Sequence, residues 1–364
     1  MQYLDTNEFR IICPSFVGSP YGSTSPLSIN PESGSLKHPY GPTFPQITPA
    51  DMARGHAELL KKIGIKRCHA VVGGSLGGMQ VIAFMSLFPD MLDRACVISG
   101  TARTSPFSSA LRLVQRKAIE GDANFYNGFY NTPGMTSGDG PVDGLKAARM
   151  MGMMWYRSRE EFDRRFEWGL PEDSPKTEVQ SYLDYQAQKF SNNFDANCYL
   201  LLSRAMDQFD LGCSAKKLIP GFKEAAPPTE TKEERLFRAL DRVKARVQII
   251  GVVQDALIPM SEQQEVYDGL KKCNKDVDLV RIDDEHGHDA MFNEKVCLEK
   301  FAPAISSFIY AEPKVLATAK VVKEDVKRKN INPNQLGSFT RTIMGAEAAK
   351  VRGKAATHEA VTLI

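Results

Sequence analysis

The feature that most constrains the fold is the segment 66–99, which predicts two strands joined through a helix. Residues 66–72 (KRCHAVV) predict a strand that ends at two glycines. Residues 76–88 (LGGMQVIAFMSLF) predict a buried helix that stops before Pro89, and residues 94–99 (RACVIS) predict a second strand. A strand, a helix and a strand within about 30 residues form a βαβ unit, so we expect a parallel sheet.

The rest of the chain predicts a sheet interrupted by a long helical insertion. Residues 8–14, 247–253 and 277–282 predict further strands, whereas residues 107–240 contain helical patterns and no convincing strand. We therefore expect an α/β core with a helical cap, inserted where it would cover a substrate pocket. The basic, Ala/Lys-rich end of the chain is expected to be partly helical or disordered. The predicted division is core 1–106, cap 107–240, core 241–312 and tail 313–364.

Residues 73–78 (GGSLGG) contain the pattern G-x-S-x-G between the predicted strand and the predicted helix. This context is that of a nucleophile elbow, in which a tight turn exposes the serine hydroxyl at the carboxyl end of the sheet. The backbone N–H of Leu76, at the start of the helix, would stabilise an oxyanion near Ser75. The alternative is a phosphate-binding turn, but no Lys-Ser/Thr follows the glycines as a P-loop requires. We therefore interpret Ser75 as a candidate nucleophile.

A serine nucleophile in this context requires an acid and then a histidine later in the chain. Asp255 follows the strand predicted for residues 247–253, and residues 283–289 (DDEHGHD) follow the strand predicted for residues 277–282. Taken alone, Asp255 would be interpreted as a turn or N-cap aspartate. His286 and His288 compete as the base, and His288 is preferred because the glycine before it frees its backbone. Three placements in the expected order predict a triad of Ser75, Asp255 and His288.

The composition excludes several classes of protein. With 46 Lys+Arg against 44 Asp+Glu the net charge is only +2, so nothing favours a nucleic-acid partner. No apolar run reaches the roughly 18–20 residues of a membrane span, and the first residues lack a signal or transit pattern. The seven cysteines are scattered and never form CxxC, which indicates a reducing compartment without disulfides or a zinc site. We expect a cytoplasmic protein with no membrane partner.

With these residues identified, the chain resembles the homoserine O-acetyltransferase family of the α/β-hydrolase fold over about residues 5–309. Residues 73–80 (GGSLGGMQ) resemble the nucleophile motif of the family, which is much narrower than G-x-S-x-G. Other similar segments follow in the family's order, which makes the resemblance specific. They are 21–26 (YGSTSP) with 28–31 (SINP), 40–48 (YGPTFPQIT), 114–119 (VQRKAI), 148–152 (ARMMG), 194–199 (FDANCY) and 287–290 (GHDA).

The resemblance implies a ping-pong acyl transfer in methionine biosynthesis, with acetyl-CoA and L-homoserine as substrates and no resident cofactor. Ser75 would accept the acetyl group, His288 would be the base and Asp255 would orient the histidine. The acetyl-enzyme would then be attacked by the hydroxyl of homoserine. The cap would exclude water so that transfer outruns hydrolysis. The resemblance also suggests a homodimer formed through the cap helices.

The resemblance further implies a clamp for the amino-acid acceptor. Arg149 would pair with the acceptor's carboxylate, and Asp289 would bind its ammonium group. Tyr156, two helical turns beyond Arg149 on the same face, would line that pocket. An amino-acid zwitterion requires one fixed cation and one fixed anion, and a bidentate arginine suits a carboxylate.

Several alternatives stay open at this point. Serine as the acceptor or succinyl-CoA as the donor is not separated by the shared motifs, since one methylene is worth only about 1–3 kcal/mol. A carboxylesterase would lack the amino-acid clamp, so Arg149 and Asp289 argue against it. The family has further N-terminal strands, one of whose loops supplies the second oxyanion N–H. Residues 1–74 contain only two clear predicted strands, so we also expect low activity, or an inactive truncated homologue.

Overall fold

The protein is described by a computed structural model, which covers residues 4–132, 140–213, 230–311 and 358–363. Its strands are β1 (Phe9–Ile12), β2 (Cys68–Gly74), β3 (Leu92–Ile98), β4 (Arg246–Val252), β5 (Val277–Ile282) and β6 (His358–Leu363). They form one parallel six-stranded sheet in the order β1-β6-β2-β3-β4-β5. The α/β class with a parallel sheet, predicted from the sequence, is confirmed.

Ten helices accompany the sheet in the described residues. They are α1 (Pro49–Lys62), α2 (Leu76–Leu87), α3 (Pro106–Glu120), α4 (Val142–Tyr156), α5 (Arg159–Arg165), α6 (Glu178–Ser191), α7 (Ala196–Asp207), α8 (Lys232–Asp241), α9 (Met260–Lys272) and α10 (Ala302–Tyr310). Shorter helical turns lie at Pro31–Leu36, Gly41–Thr43, Tyr126–Gly128, Gly287–Phe292, Glu294–Val296 and Cys297–Phe301.

The sheet buries both of its faces, as parallel sheets do. On β2, Val71 points to one core cluster, which contains residues of α1, α2, α8 and α9. Its neighbours Ala70 and Val72 point to the opposite cluster, which contains Phe9 of β1 and residues of α10. This alternation follows from the two-residue period of a strand. It leaves the carboxyl ends of the strands as the edge at which polar side chains can gather.

The βαβ unit predicted for segment 66–99 is present, but β2 ends later than predicted. The strand predicted for residues 66–72 stops before the two glycines, whereas the observed ladder continues to Gly74, which pairs with Ile98 of β3. The two glycines therefore complete the strand, because backbone hydrogen bonds to β3 do not require a side chain. The extension brings β2 directly up to Ser75.

The strand β6 lies within the tail 313–364, for which the sequence predicted no strand. His358–Leu363 lies between β1 and β2 and is parallel to both, with Val361 beside Ile11 and Ala70. Residues 312–357 lie outside the described residues, so the expectation for them is untested. The strand was missed because its stability comes from two neighbours far away in the chain, which a local pattern cannot indicate.

The helices α3 to α7 follow β3 and build a region with a core of its own. Ile119, Leu145, Ala148 and Leu200 form its buried centre. Asp207 at the end of α7 binds two arginines of α3: its Oδ1 lies 2.6 Å from Arg112 Nε and its Oδ2 lies 2.7 Å from Arg116 Nη2. α8 also lies inside the predicted cap range, but it packs against α2 and α9. The division into domains stays a prediction.

Candidate active site

Ser75 occupies a strained turn between β2 and α2. Its φ of 57° and ψ of −119° lie in a region that residues with a side chain rarely adopt. The turn closes only with small neighbours: a Cβ on Gly74 would meet Met291 Sδ at 2.6 Å, and one on Gly78 would meet the Cα of Gly100 at 3.0 Å. The strain therefore lifts the Ser75 hydroxyl clear of the sheet. The Leu76 N–H belongs to the first turn of α2, where backbone N–H groups have no acceptor within the helix.

The structure brings Ser75, His288 and Asp255 into one hydrogen-bonded chain. His288 Nε2 lies 2.8 Å from Ser75 Oγ, and His288 Nδ1 lies 2.7 Å from Asp255 Oδ2. The other Asp255 oxygen accepts the backbone N–H groups of Leu257 at 2.9 Å and Ile258 at 2.8 Å. These two bonds fix the carboxylate, which fixes the imidazole. The geometry is that of a serine activated by an oriented histidine.

The electrostatics of His288 suit a base. Its side chain is only 4% exposed and that of Asp255 is fully buried. Burial alone would lower the pKa of His288, but the charge and hydrogen bond of Asp255, with the charge of Asp289, outweigh it and raise the pKa. The imidazole is therefore well suited to hold the serine proton during attack.

His286, the competing histidine, points elsewhere. Its Nδ1 lies 2.7 Å from Asp284 Oδ1, and its Nε2 lies 3.0 Å from the side-chain nitrogen of Asn293. Asp284 is also bound by Lys300 at 2.8 Å. His286 thus belongs to a separate polar cluster that fixes the loop after β5, whereas His288 faces Ser75.

Arg149 lies on α4 with its guanidinium against aromatic rings. Its Cζ is 4.9 Å from the centre of the Phe190 ring and 5.6 Å from that of Tyr156. The Tyr156 ring in turn lies 6.1 Å from the His288 ring. Among the described residues no carboxylate forms an ion pair with Arg149, and its buried Nε has no hydrogen-bond partner. This places a cation that has no ion-pair partner among the described residues one aromatic ring away from the triad.

Asp289 supplies a negative charge on the other side of His288. Burial raises the pKa of this carboxyl, while the charges of Arg157, His288 and Arg149 act in the opposite direction. Its Oδ2 lies 3.4 Å from Arg157 Nε. Of the predicted residues, Tyr156 and Asp289 therefore lie next to His288, and Arg149 lies beyond the Tyr156 ring. The charge of Arg149 acts on Asp289, so a cation and an anion belong to the same part of the site.

Sequence reasoning missed three residues of this pocket. Phe190 stacks on Arg149, and Arg157 binds Asp289. Tyr199 is the third: burial raises the pKa of its phenol well above the usual value, with the neighbouring Tyr156 adding to the effect. Tyr199 closes the FDANCY segment, so the resemblance contained a signal for it. Arg157 had no signal beyond its place next to Tyr156.

Comparisons with known proteins show the family to which the chain belongs. Residues 1–295 match the family of the α/β-hydrolase fold. The L-serine/homoserine O-acetyltransferase of Streptomyces lavendulae is 37% identical over 315 residues, which are 84% of this chain and 78% of that protein. The homoserine O-succinyltransferase of Hahella chejuensis is 36% identical over 79% of this chain and 70% of that protein. The chain belongs to the homoserine O-acetyltransferase family.

A solved structure supports the same relationship. The crystal structure of homoserine O-acetyltransferase from Bacillus anthracis superposes with a TM-score of 0.65 at 26% identity, covering 80% of this chain and 72% of that one.

In the described parts of the chain, no helix combines the length and apolar character needed to cross a membrane. Nor do the described residues contain a group of three or more His, Cys, Asp or Glu side chains that could hold a metal ion.

Proposed function

We propose that this protein transfers an acetyl group from acetyl-CoA to the hydroxyl of L-homoserine, in methionine biosynthesis, by a ping-pong mechanism. The observation that carries the proposal is Arg149, a guanidinium without an ion-pair partner among the described residues, which is separated from His288 by the Tyr156 ring and whose charge acts on Asp289. An uncompensated cation is costly to keep half-buried, which favours a role in binding an anion.

The acceptor fits between these two charges. Arg149 binds the α-carboxylate with two parallel hydrogen bonds, and Asp289 binds the ammonium group. Tyr156 lies between Arg149 and the His288 ring, so it forms the wall along which the acceptor's side chain runs toward the triad. The hydroxyl at the end of that side chain then reaches His288. An ester without these charged groups gains nothing from the clamp, which disfavours a general esterase.

The chemical steps follow from the triad. Ser75 Oγ attacks the thioester carbonyl while His288 takes its proton, and the Leu76 N–H donates to the developing oxyanion. The C–S bond breaks, CoA leaves with the proton, and the acetyl group stays on Ser75. His288 then takes the proton of the homoserine hydroxyl, whose oxygen attacks the acetyl-serine. O-acetylhomoserine leaves and Ser75 regains its proton.

The charges of the pocket favour acetyl over succinyl as the transferred group. A succinyl group brings a second carboxylate, which would require a second available cation. Two further arginines influence the pKa values of the site, and both already have partners: Arg157 binds Glu161 and Asp289, and Arg112 binds Asp207. Within the described residues, Arg149 therefore remains as the cation for one carboxylate, that of the acceptor.

The test is a CoA-release assay with a thiol reagent on the full chain. Acetyl-CoA and succinyl-CoA are each combined with L-homoserine, L-serine or no acceptor. We expect the fastest turnover with acetyl-CoA and homoserine, and a single burst of CoA without acceptor. Ser75→Ala is the control and should release no CoA. Turnover that is independent of the acceptor would make the protein a hydrolase, and faster turnover with succinyl-CoA or serine would overturn the substrate assignment.

We also propose that the protein is a homodimer formed through its cap helices. Apolar side chains beside α6 and on it are exposed: Trp168 is 84% exposed, Leu170 65% and Tyr185 63%. Large exposed apolar side chains in one region are typical of interaction surfaces. Light scattering at micromolar concentration should give the mass of two chains, and Trp168→Ser should weaken the association. A single-chain mass at all concentrations would contradict it.

A further inference from the structure

We propose that Arg157 is a positioning residue that holds Asp289 ionised and oriented for the ammonium group of the acceptor. This inference rests on the proposed function, in which Asp289 binds that group. Arg157 follows directly after α4, and its backbone is extended, with φ −117° and ψ 162°. Its Nε lies 3.4 Å from Asp289 Oδ2. One carboxylate oxygen of Asp289 thus faces a fixed cation, which leaves the other oxygen for a ligand.

A buried glutamate binds the Arg157 guanidinium through a different nitrogen from the one that faces Asp289. Glu161 has a side chain only 3% exposed, and its Oε1 lies 2.9 Å from Arg157 Nη1. The same oxygen lies 3.1 Å from Arg165 Nη1, and the Arg165 guanidinium stacks over the Tyr182 ring at 4.4 Å. Charges therefore alternate from Asp289 through Arg157 and Glu161 to Arg165. Arg157 is paired with Glu161 as well as with Asp289, so its positive charge is divided between two carboxylates. Arg157 therefore orients Asp289, and Asp289 still attracts a second cation.

The backbone holds the two partners together. Gly287 has φ +61°, and a Cβ there would come within 3.2 Å of both Arg157 C and Tyr156 O. The loop that carries His288 and Asp289 therefore lies against the end of α4 with no room for a side chain. This contact fixes how closely the backbone segments that carry Arg157 and Asp289 approach each other.

The reason that Asp289 needs such a partner is its burial next to the triad. Burial favours the protonated carboxyl, which binds an ammonium group poorly. The charged groups that act on Asp289 are Arg149 from α4, Arg157 directly after α4, and the adjacent His288. His288 is neutral when it acts as a base, and Arg149 is neutralised once it binds the acceptor's carboxylate. Arg157 is thus the cation that still favours ionised Asp289 at the moment of transfer.

The experiment measures how well the enzyme distinguishes homoserine from 4-hydroxybutyrate, which has the same carboxylate and hydroxyl but no ammonium group. Wild type, Arg157→Met and Arg157→Lys are compared in kcat/KM for both acceptors and in the CoA burst. Arg164→Gln is the matched control, because Arg164 also joins α5 to the loop after β5, through Glu285, without contacting Asp289. A melting curve of each variant checks that it is folded.

We expect Arg157→Met to lose about tenfold in kcat/KM for homoserine, equivalent to about 1.4 kcal/mol, and to lose little with 4-hydroxybutyrate. Its CoA burst should stay within about threefold of wild type, since a factor of three is below one kcal/mol. Arg157→Lys keeps the positive charge but lacks the planar guanidinium that binds Glu161 and Asp289 together. It should therefore recover part of the preference for homoserine over 4-hydroxybutyrate. Arg164→Gln should keep the wild-type preference.

An equal loss with both acceptors, or an equal loss in the CoA burst, would overturn the inference by making Arg157 merely structural. A loss of preference in Arg164→Gln of the same size would also overturn it. If Arg157→Met does not fold, the comparison of Arg157→Lys with wild type decides. The proposed function fails separately, because wild type itself would then show no homoserine-dependent CoA release.

Discussion

Replacing Arg149 should separate the two half-reactions of this enzyme. In the structure its guanidinium touches Phe190 and Tyr156, and none of the triad residues contacts it. Arg149→Met removes the charge and keeps much of the volume. Acylation of Ser75 should then continue, whereas capture of homoserine should weaken. The lost interaction is a hydrogen bond to a charged group, worth about 1.5–3 kcal/mol, which corresponds to roughly 10–150-fold in kcat/KM for the acceptor.

The same change should not destabilise the fold. A half-buried guanidinium without an ion-pair partner among the described residues contributes desolvation cost rather than pairing energy, and its cation–π contacts return only about 0.5–1 kcal/mol each. We therefore expect the melting temperature of Arg149→Met to equal or exceed that of wild type. Such a gain in stability with a loss of function is typical of a binding residue.

The assay isolates each step. Rapid mixing with acetyl-CoA and a thiol reagent measures the CoA burst, and mixing the acetyl-enzyme with homoserine, followed by mass spectrometry, measures deacylation. Arg159→Gln is the control, because this arginine is 86% exposed and pairs only with Asp163 in the described residues. A loss in the burst as large as the loss in deacylation, or a lower melting temperature, would refute this reasoning and make Arg149 structural.

Three further predictions concern the triad and the cap. Ser75→Ala and His288→Ala should each cost about 10⁴–10⁶ in turnover, because triad members act as a unit, whereas greater damage from His286→Ala would reverse the choice of base. Asp289→Asn removes a charge that raises the pKa of His288, so the pKa of His288 should fall. Because the base must be neutral, the acid limb of the CoA-burst rate should then move to lower pH. A move to higher pH would contradict the electrostatics. Asp207→Asn leaves two buried arginines without their carboxylate and should lower the free energy of unfolding by about 3–5 kcal/mol in urea titration; a change below about 1 kcal/mol would show that the pair is solvated.

The sequence predicted the parts of the site that are local or that follow from sheet geometry. Ser75 lies in a short motif, and the glycines around it indicate the tight turn that strains its backbone. Asp255 and His288 each follow a strand, and parallel strands bring their carboxyl ends to one edge. The structure places the three within 2.7–2.8 Å of their partners, although no two of them are neighbours in the chain. Because the strands are parallel and regular, the position of a residue relative to its strand predicts which other side chains it meets in the fold.

The parts that could not be predicted depend on contacts outside such regularity. Arg157 reaches Asp289 because the chain turns after α4 and because Gly287 lets the loop approach it. The pairing of Val361 in β6 with Ala70 in β2 joins residues about 290 positions apart in the chain. No local periodicity encodes either contact. The resemblance supplied roles for Arg149, Tyr156 and Asp289, but it did not identify what holds them in place.

In the mechanism proposed above, the two half-reactions depend on different parts of the molecule. Ser75, Asp255 and His288 are all carried by segments that follow strands of the sheet, so acylation would draw on these segments alone. Capture of the acceptor would require Asp289, from the loop after β5, together with Arg149 on α4. These two groups keep their spacing only while α4 rests against the loop that carries His288. The contact at Gly287 therefore joins the site of acyl transfer to the site of acceptor binding. In the proposed mechanism, an acetyl-serine formed while that contact is loose would meet water instead of an aligned hydroxyl, so we expect the packing of α4 against this loop to set the balance between transfer and hydrolysis.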